Sequence, residues 1–139
     1  DLRNRMKLPD RRLDMYVIIY DYQLGWKVER HIEQCDKVIF WTWEAKNLEK
    51  LSENFMEFEK AAGNKGKLLG CYLWDYGTGK PMPVESMKKQ CEVGLEWLKE
   101  GRIEGMVFLA TCICDLEIDA VEWTRKWIAD VADTPFVAR

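Results

Sequence analysis

The sequence predicts an α/β fold in which parallel strands alternate with helices. Four runs are almost continuously apolar, at residues 15–22, 37–43, 67–74 and 105–111, a pattern typical of strands that are covered on both faces. Apolar residues with helical spacing follow three of these runs, over 48–58, 87–98 and 118–131. This alternation favours right-handed crossovers and a single parallel sheet.

The composition of each connection fits the strands and helices that it joins. The first crossover, residues 26–34, has room for only two or three helical turns, so a helix there is predicted from length alone. The second helix carries Leu48, Leu51, Phe55 and Phe58 on one stripe and ends before the glycine-containing segment 63–66. Pro83 suits the first turn of the third helix. The last helix is expected to stop before residues 134–135, which are Thr-Pro.

Two architectures fit four such β/α units. One is half of a (β/α)8 barrel, either a piece of a longer chain or a half that pairs with a second copy; the other is a small flavodoxin-like doubly wound sheet. We favour the half barrel, because the polar residues 1–14 cannot supply the fifth strand of a flavodoxin-like sheet. The predicted domain therefore has a polar lead-in at 1–14, β/α units at 15–131 and a tail at 132–139.

Composition limits the function classes. The chain of 139 residues is one domain's worth, and its net charge of -3 gives no electrostatic reason to expect nucleic acid as a partner. No run is long and apolar enough to cross a membrane, and the first residues lack the apolar segment of a signal peptide. The chain also lacks an initiator methionine, which favours a processed product or a piece of a longer protein.

We expect no metal, cofactor or disulfide framework. The five cysteines are odd in number and mostly lie in apolar runs, and the spacing of Cys112 and Cys114 is too tight for the usual zinc pair. The only histidine, His31, lies far from them in a charged segment. The glycine patterns of dinucleotide-binding and phosphate-binding loops are also missing.

Aromatic side chains and carboxylates coincide at the carboxyl ends of the predicted strands, where ligands bind in both architectures. Aromatic faces stack on sugar rings, and a pair of carboxylates is the minimum for acid–base work on a glycosidic bond. The sequence thus predicts a carbohydrate or other small-molecule ligand. The candidate catalytic residues are Glu44, Asp75 and Asp21, and the candidate substrate-binding residues are Tyr22, Trp43, Trp74 and Tyr76.

Three stretches, FWTWEAKNLEKL, LLGCYLWDYGTGKPMP and GLEWLKEGRIEGMVFLAT, resemble the C-terminal half of a (β/α)8 barrel of the glycoside-hydrolase-like kind found in bacterial proteins. The resemblance covers most of residues 15–130. It implies a barrel segment that acts on or binds carbohydrate, and it leaves the catalytic residues unassigned. A non-catalytic ligand-binding or structural β/α module is the alternative function.

Each carboxylate also has a structural interpretation. Glu44 lies where a helix dipole favours negative charge, and Asp75 precedes a Tyr-Gly-Thr-Gly turn that an aspartate commonly braces. Asp115 is expected to be the N-cap of the last helix. Alternation along the second strand places Trp41 and Trp43 on the face opposite Thr42 and Glu44. We expect Thr42 and Glu44 to face inward, because the polar face is harder to bury beneath helices.

Overall fold

Four parallel strands form the central sheet of the protein, which a computed structural model describes for residues 13–110 and 112–135. The strands of the described residues are β1 Tyr16–Tyr20, β2 Lys37–Trp41, β3 Gly66–Tyr72, β4 Trp74–Asp75, β5 Lys80–Pro81 and β6 Gly105–Leu109. The central sheet contains β1, β2, β3 and β6, side by side in chain order. The two short strands, β4 and β5, form a separate antiparallel hairpin between β3 and β6 in the chain.

Four α-helices connect or follow these strands. Their bounds are α1 Glu29–Glu33, α2 Leu51–Ala62, α3 Val84–Glu100 and α4 Asp119–Val131. Two 3-10 helices, Asp21–Gln23 and Ala45–Lys50, begin soon after the ends of β1 and β2. Helix α3 ends at Gly101, whose φ of 70° is the left-handed conformation that glycine adopts at helix C-termini without strain.

Helices α2, α3 and α4 pack on one face of the sheet. Phe40 of β2 contacts Phe55 and Phe58 of α2, with ring centroids 5.8 and 5.1 Å apart. Met106 of β6 shares this face, because the register aligns Phe40 with Leu69 and Leu69 with Met106. A Cβ on Gly94 of α3 would lie 2.7 Å from the Met106 sulfur, so the missing side chain lets helix and sheet approach closely.

The opposite face of the sheet has no helix on it among the described residues. Its middle row, aligned by the register, is Ile18, Ile39, Leu68 and Gly105. Toward the edges this face exposes large apolar side chains: Tyr16 is 46%, Ile18 42% and Leu109 38% exposed. The sheet therefore has a covered side and an apolar side open to solvent, which we call the helix-free face.

The predicted parallel β/α units are confirmed, and the flavodoxin-like alternative lacks its strand-order reversal in the described sheet. Every long strand ends two residues before its predicted end, at Tyr20, Trp41, Tyr72 and Leu109. Of the aromatic residues that extended the predictions, Tyr22 lies in the 3-10 helix after β1, Trp43 in the loop after β2, and Trp74 in the short strand β4. Most of the predicted lead-in, residues 1–12, and the end of the tail, 136–139, lie outside the described residues, as does Thr111.

Candidate functional site at the carboxyl ends of the strands

Exposed aromatic rings form a continuous ridge beyond the carboxyl ends of β1, β2 and β3. Trp26 contacts Tyr22 at 6.0 Å between ring centroids, and Tyr22 contacts Trp43 at 6.0 Å, both edge to face. Trp43 stacks on Tyr76 at 4.6 Å with an interplanar angle of 23°. Trp26 is 56%, Tyr22 51% and Tyr76 40% exposed. We call these four residues the aromatic ridge.

A second set of rings lies beneath the ridge on the helix-free face. Trp41 packs on Tyr72 at 4.3 Å, and the Tyr72 hydroxyl donates a hydrogen bond to the Tyr20 hydroxyl at 3.3 Å. Burial, followed by this hydrogen bond, raises the pKa of Tyr72, so the phenol stays neutral. Tyr20 in turn stacks on Tyr22 of the ridge at 5.3 Å. The ridge therefore rests on a packed aromatic base.

The packing of Trp41 beneath the ridge depends on a glycine in the neighbouring strand. A Cβ on Gly70 would lie within 2.6 Å of three ring atoms of Trp41, a separation that real side chains do not reach. The indole therefore lies flat across the backbone of β3. Its buried N–H has no acceptor among the described residues, which is uncommon in folded proteins.

The expectation that Thr42 faces the helix-free side is wrong. Phe40 packs against the helices, so alternation along β2 sends Trp41 to the opposite face. Thr42, one residue further, is 2% exposed, and its hydroxyl has no partner in the described part of the chain. The space above Gly70 explains the outcome, because it accommodates an indole that the crowded helical face does not.

Asp21 fixes the chain segment that follows β2. One carboxylate oxygen accepts a hydrogen bond from the Trp43 backbone N–H at 3.0 Å, and the other accepts one from the Asn47 side-chain amide at 2.7 Å. Asp21 is only 8% exposed. A buried carboxylate needs such donors, and here they hold the backbone of a ridge residue in place.

Asp75 fixes the same segment from the other side and braces its own turn. Its Oδ1 accepts hydrogen bonds from the backbone N–H groups of Ala45 and Gly77, both at 3.0 Å, and its Oδ2 accepts one from the Thr78 hydroxyl at 2.7 Å. Burial raises the pKa of Asp75, but these hydrogen bonds outweigh it and hold the pKa below its ordinary value. The predicted turn brace is confirmed. We call Asp21 and Asp75 together the aspartate clamp.

Glu44 lies inside the segment that the clamp holds. Its carboxylate forms an ion pair with Lys46, and the side chain crosses the backbone of Gly77, where a Cβ would lie 2.7 Å from its Cγ. Its side chain is 30% exposed. Glu44 is thus the one candidate carboxylate that faces solvent and makes no clamp hydrogen bond among those described. The catalytic roles of Glu44, Asp75 and Asp21 stay predictions.

Of the four predicted aromatic contacts, the structure brings Tyr22, Trp43 and Tyr76 into one ridge. Trp74 lies in the β4–β5 hairpin instead and lines a cavity that it shares with Tyr76. Trp26 is a ridge residue that no sequence pattern predicted. It lies in the bend between the 3-10 helix Asp21–Gln23 and α1, and its only signal in the sequence was a lone tryptophan in a short polar crossover.

The last helix begins later than predicted. Its N-cap is Ile118 rather than Asp115, and α4 starts at Asp119. Glu117 has a φ of 51°, a left-handed conformation that a helix cannot contain, so the helix begins only after it. Asp119 and Glu122 supply the negative charge of the first turn.

No group of three or more potential ligands in residues 13–110 and 112–135 could hold a metal ion. The described helices also include none that is long and apolar enough to cross a membrane. Comparison with known proteins gives no relative: the chain matches no protein family, no curated protein and no solved structure.

Proposed function

We propose that the four β/α units are half of an eight-stranded barrel and that the aromatic ridge binds carbohydrate. The ridge is the observation that carries the proposal. Sugars present flat C–H faces between their hydroxyl groups, and Trp and Tyr offer a flat apolar ring with a polar edge. Four such rings in contact, three of them strongly exposed, provide a binding surface longer than one residue could.

The barrel half is supported by the arrangement of the sheet. Four parallel strands in chain order, with helices α2–α4 on one face, match four consecutive units of a (β/α)8 barrel. Both edge strands, β1 and β6, lack a partner along their outer edge within the described sheet, and the helix-free face exposes apolar side chains. The other half of a barrel, or a second copy of this chain, would cover this face and pair both edges.

Charge favours a neutral ligand over a polyanion. The chain carries a net charge of -3, and Glu44 lies beside the ridge at Gly77. Bases of a single-stranded nucleic acid also stack on aromatic rings, but such sites add a positively charged groove for the phosphates. A carboxylate beside the rings instead suits hydrogen bonds from sugar hydroxyls.

The test is binding of a panel of soluble polysaccharides and methyl glycosides by affinity electrophoresis and calorimetry. Tyr22→Ala is expected to weaken binding roughly two- to tenfold, since an aromatic contact contributes about 0.5–1.5 kcal/mol. Met56→Ala is the matched control, because Met56 is also 51% exposed but lies on α2. Equal affinities of Tyr22→Ala and wild type for every sugar bound would contradict the proposal.

Glycoside hydrolysis is a second candidate, favoured by the proximity of Glu44 to the Asp75 turn. The Glu44 side chain crosses Gly77, which itself donates to Asp75. Hydrolysis needs a proton donor beside an ionised carboxylate, and the lowered pKa of Asp75 suits the ionised partner. Glu44, which faces solvent beside the ridge, is then the candidate proton donor. Hydrolysis of methyl glycosides or oligosaccharides, whose leaving groups need protonation, is followed as release of reducing sugar, and its loss in Glu44→Gln is the expected result of this candidate.

A further inference from the structure

A small apolar cavity lies beside the aromatic ridge, between the β4–β5 hairpin and the end of β6. Its volume is about 290 Å³. Ile113 is nearly buried, whereas Cys112, Tyr76 and Leu109 are exposed, so the cavity is open to solvent. The described residues that line it are Trp74, Tyr76, Leu109, Ala110, Cys112 and Ile113.

The lining determines the chemistry of an occupant. None of these side chains is charged, and only Trp74 and Tyr76 among them carry a nitrogen or oxygen atom that could pair with a sugar hydroxyl, too few for a row of hydroxyls. Burying a hydroxyl without a partner is unfavourable. An apolar cavity of about 150 Å³ holds a benzene ring, so the size here suits a phenyl group or a short alkyl chain.

Tyr76 joins the cavity to the ridge. Its ring stacks on Trp43 of the ridge at 4.6 Å, and the same residue lines the cavity. A ligand whose sugar lies on Trp43 and Tyr76 therefore has an apolar space next to that sugar. One molecule with a polar sugar and an apolar substituent would occupy both.

We propose that this cavity is a subsite for the aryl or alkyl group of a glycoside whose sugar lies on the aromatic ridge. The inference rests on the proposed function and adds the ligand class, an amphipathic glycoside. Polysaccharides without such a group would use the ridge alone.

The experiment compares the phenyl and methyl glycosides of the same sugars, titrated calorimetrically into the wild-type chain. The phenyl glycoside is expected to bind about tenfold or more tightly, as burial of a ring of that size predicts. Ala110→Phe fills the cavity and should remove the gain. Ala132→Phe adds the same ring at an exposed position after α4 and should retain it.

A second measurement tests the cavity without any sugar. Benzyl alcohol should slow the alkylation of Cys112 by iodoacetamide, followed by mass spectrometry of the Cys112 peptide, in wild type and Ala132→Phe but not in Ala110→Phe. Circular dichroism checks that each variant folds.

The outcomes separate the two proposals. Methyl glycosides that bind without any phenyl gain overturn the subsite and leave the proposed function standing. If benzyl alcohol protects Cys112 but no glycoside of the panel binds in the titrations, the proposed function is overturned and with it the glycoside ligand class. A phenyl gain that survives in Ala110→Phe places the ring elsewhere and overturns the subsite.

Discussion

Gly70→Ala is expected to destabilise the protein because it displaces Trp41. The new methyl carbon would lie within 2.6 Å of three indole atoms, whereas carbon atoms in contact are about 3.5–4.0 Å apart, so the ring must move by roughly 1 Å. Trp41 is 3% exposed and packs on Tyr72, so the movement disturbs the aromatic base. Overpacking of this kind costs about 1–3 kcal/mol, and the loss of glycine flexibility offsets about 0.4–1 kcal/mol.

The net loss, about 1–2 kcal/mol in the free energy of unfolding, is measured by urea denaturation followed by far-ultraviolet circular dichroism. Gly105→Ala is a matched control on the neighbouring strand, because its Cβ would meet only Leu68, at an ordinary 3.6 Å. It should be neutral or slightly stabilising. In a Trp41→Ala background, Gly70→Ala should lose its cost. If Gly70→Ala and Gly105→Ala are equally stable in the wild-type background, the assigned position of the indole is wrong.

Three further predictions follow from the same structure. The pKa of Asp75 is lower in the folded protein than its unfolded value of about 3.9, so ionised Asp75 stabilises the fold fully above that unfolded value. This contribution is lost as the pH falls through the folded pKa. Urea denaturation at decreasing pH should therefore show a smaller loss of unfolding free energy for Asp75→Asn than for wild type. Ellman's reagent at pH 8 should label exposed Cys112 in the native protein but Cys91, whose pKa burial raises to about 12, only after unfolding. Sedimentation should show self-association of the isolated chain that Ile18→Lys on the helix-free face abolishes and Met56→Lys preserves; a wild type that is monomeric at every concentration contradicts this.

The sequence was a good guide to the sheet because burial on both sides produces an apolar run. It was a poor guide to where each strand ends, because Tyr22, Trp43 and Trp74 are as apolar as the strand residues before them. Hydrogen bonds decide those ends: Asp21 accepts the backbone N–H of Trp43, which therefore leaves the ladder. Asp21, which follows β1, thus determines where β2 ends. The sequence of β2 alone does not contain this information.

The sequence predicted where the aromatic residues would lie, but it did not predict the packing of Trp41 and Tyr72 beneath the aromatic ridge. Alternation put Trp41 and Trp43 on one face, as observed, but the choice of face depended on Gly70, which lies 29 positions after Trp41 in the chain and pairs with it in the register. Burial of Thr42 without a partner costs free energy, and the contacts of Trp41 with Tyr72 offset it. Which face of β2 each side chain occupies therefore depends on tertiary contacts and not on the sequence of the strand alone.

The clamp changes how a test of catalysis must be designed. Asp75→Asn removes an acceptor from Thr78 or from the two backbone N–H groups, so lost turnover in that variant would also follow from a displaced ridge. Glu44→Gln is the better test, because the shape of the side chain is kept and the lost ion pair with Lys46 is exposed to solvent and contributes little to stability. If Glu44 is the acid, turnover falls by orders of magnitude while methyl glycosides still bind and the urea midpoint stays unchanged. Turnover that persists in Glu44→Gln shows that Glu44 is not the acid and overturns that assignment.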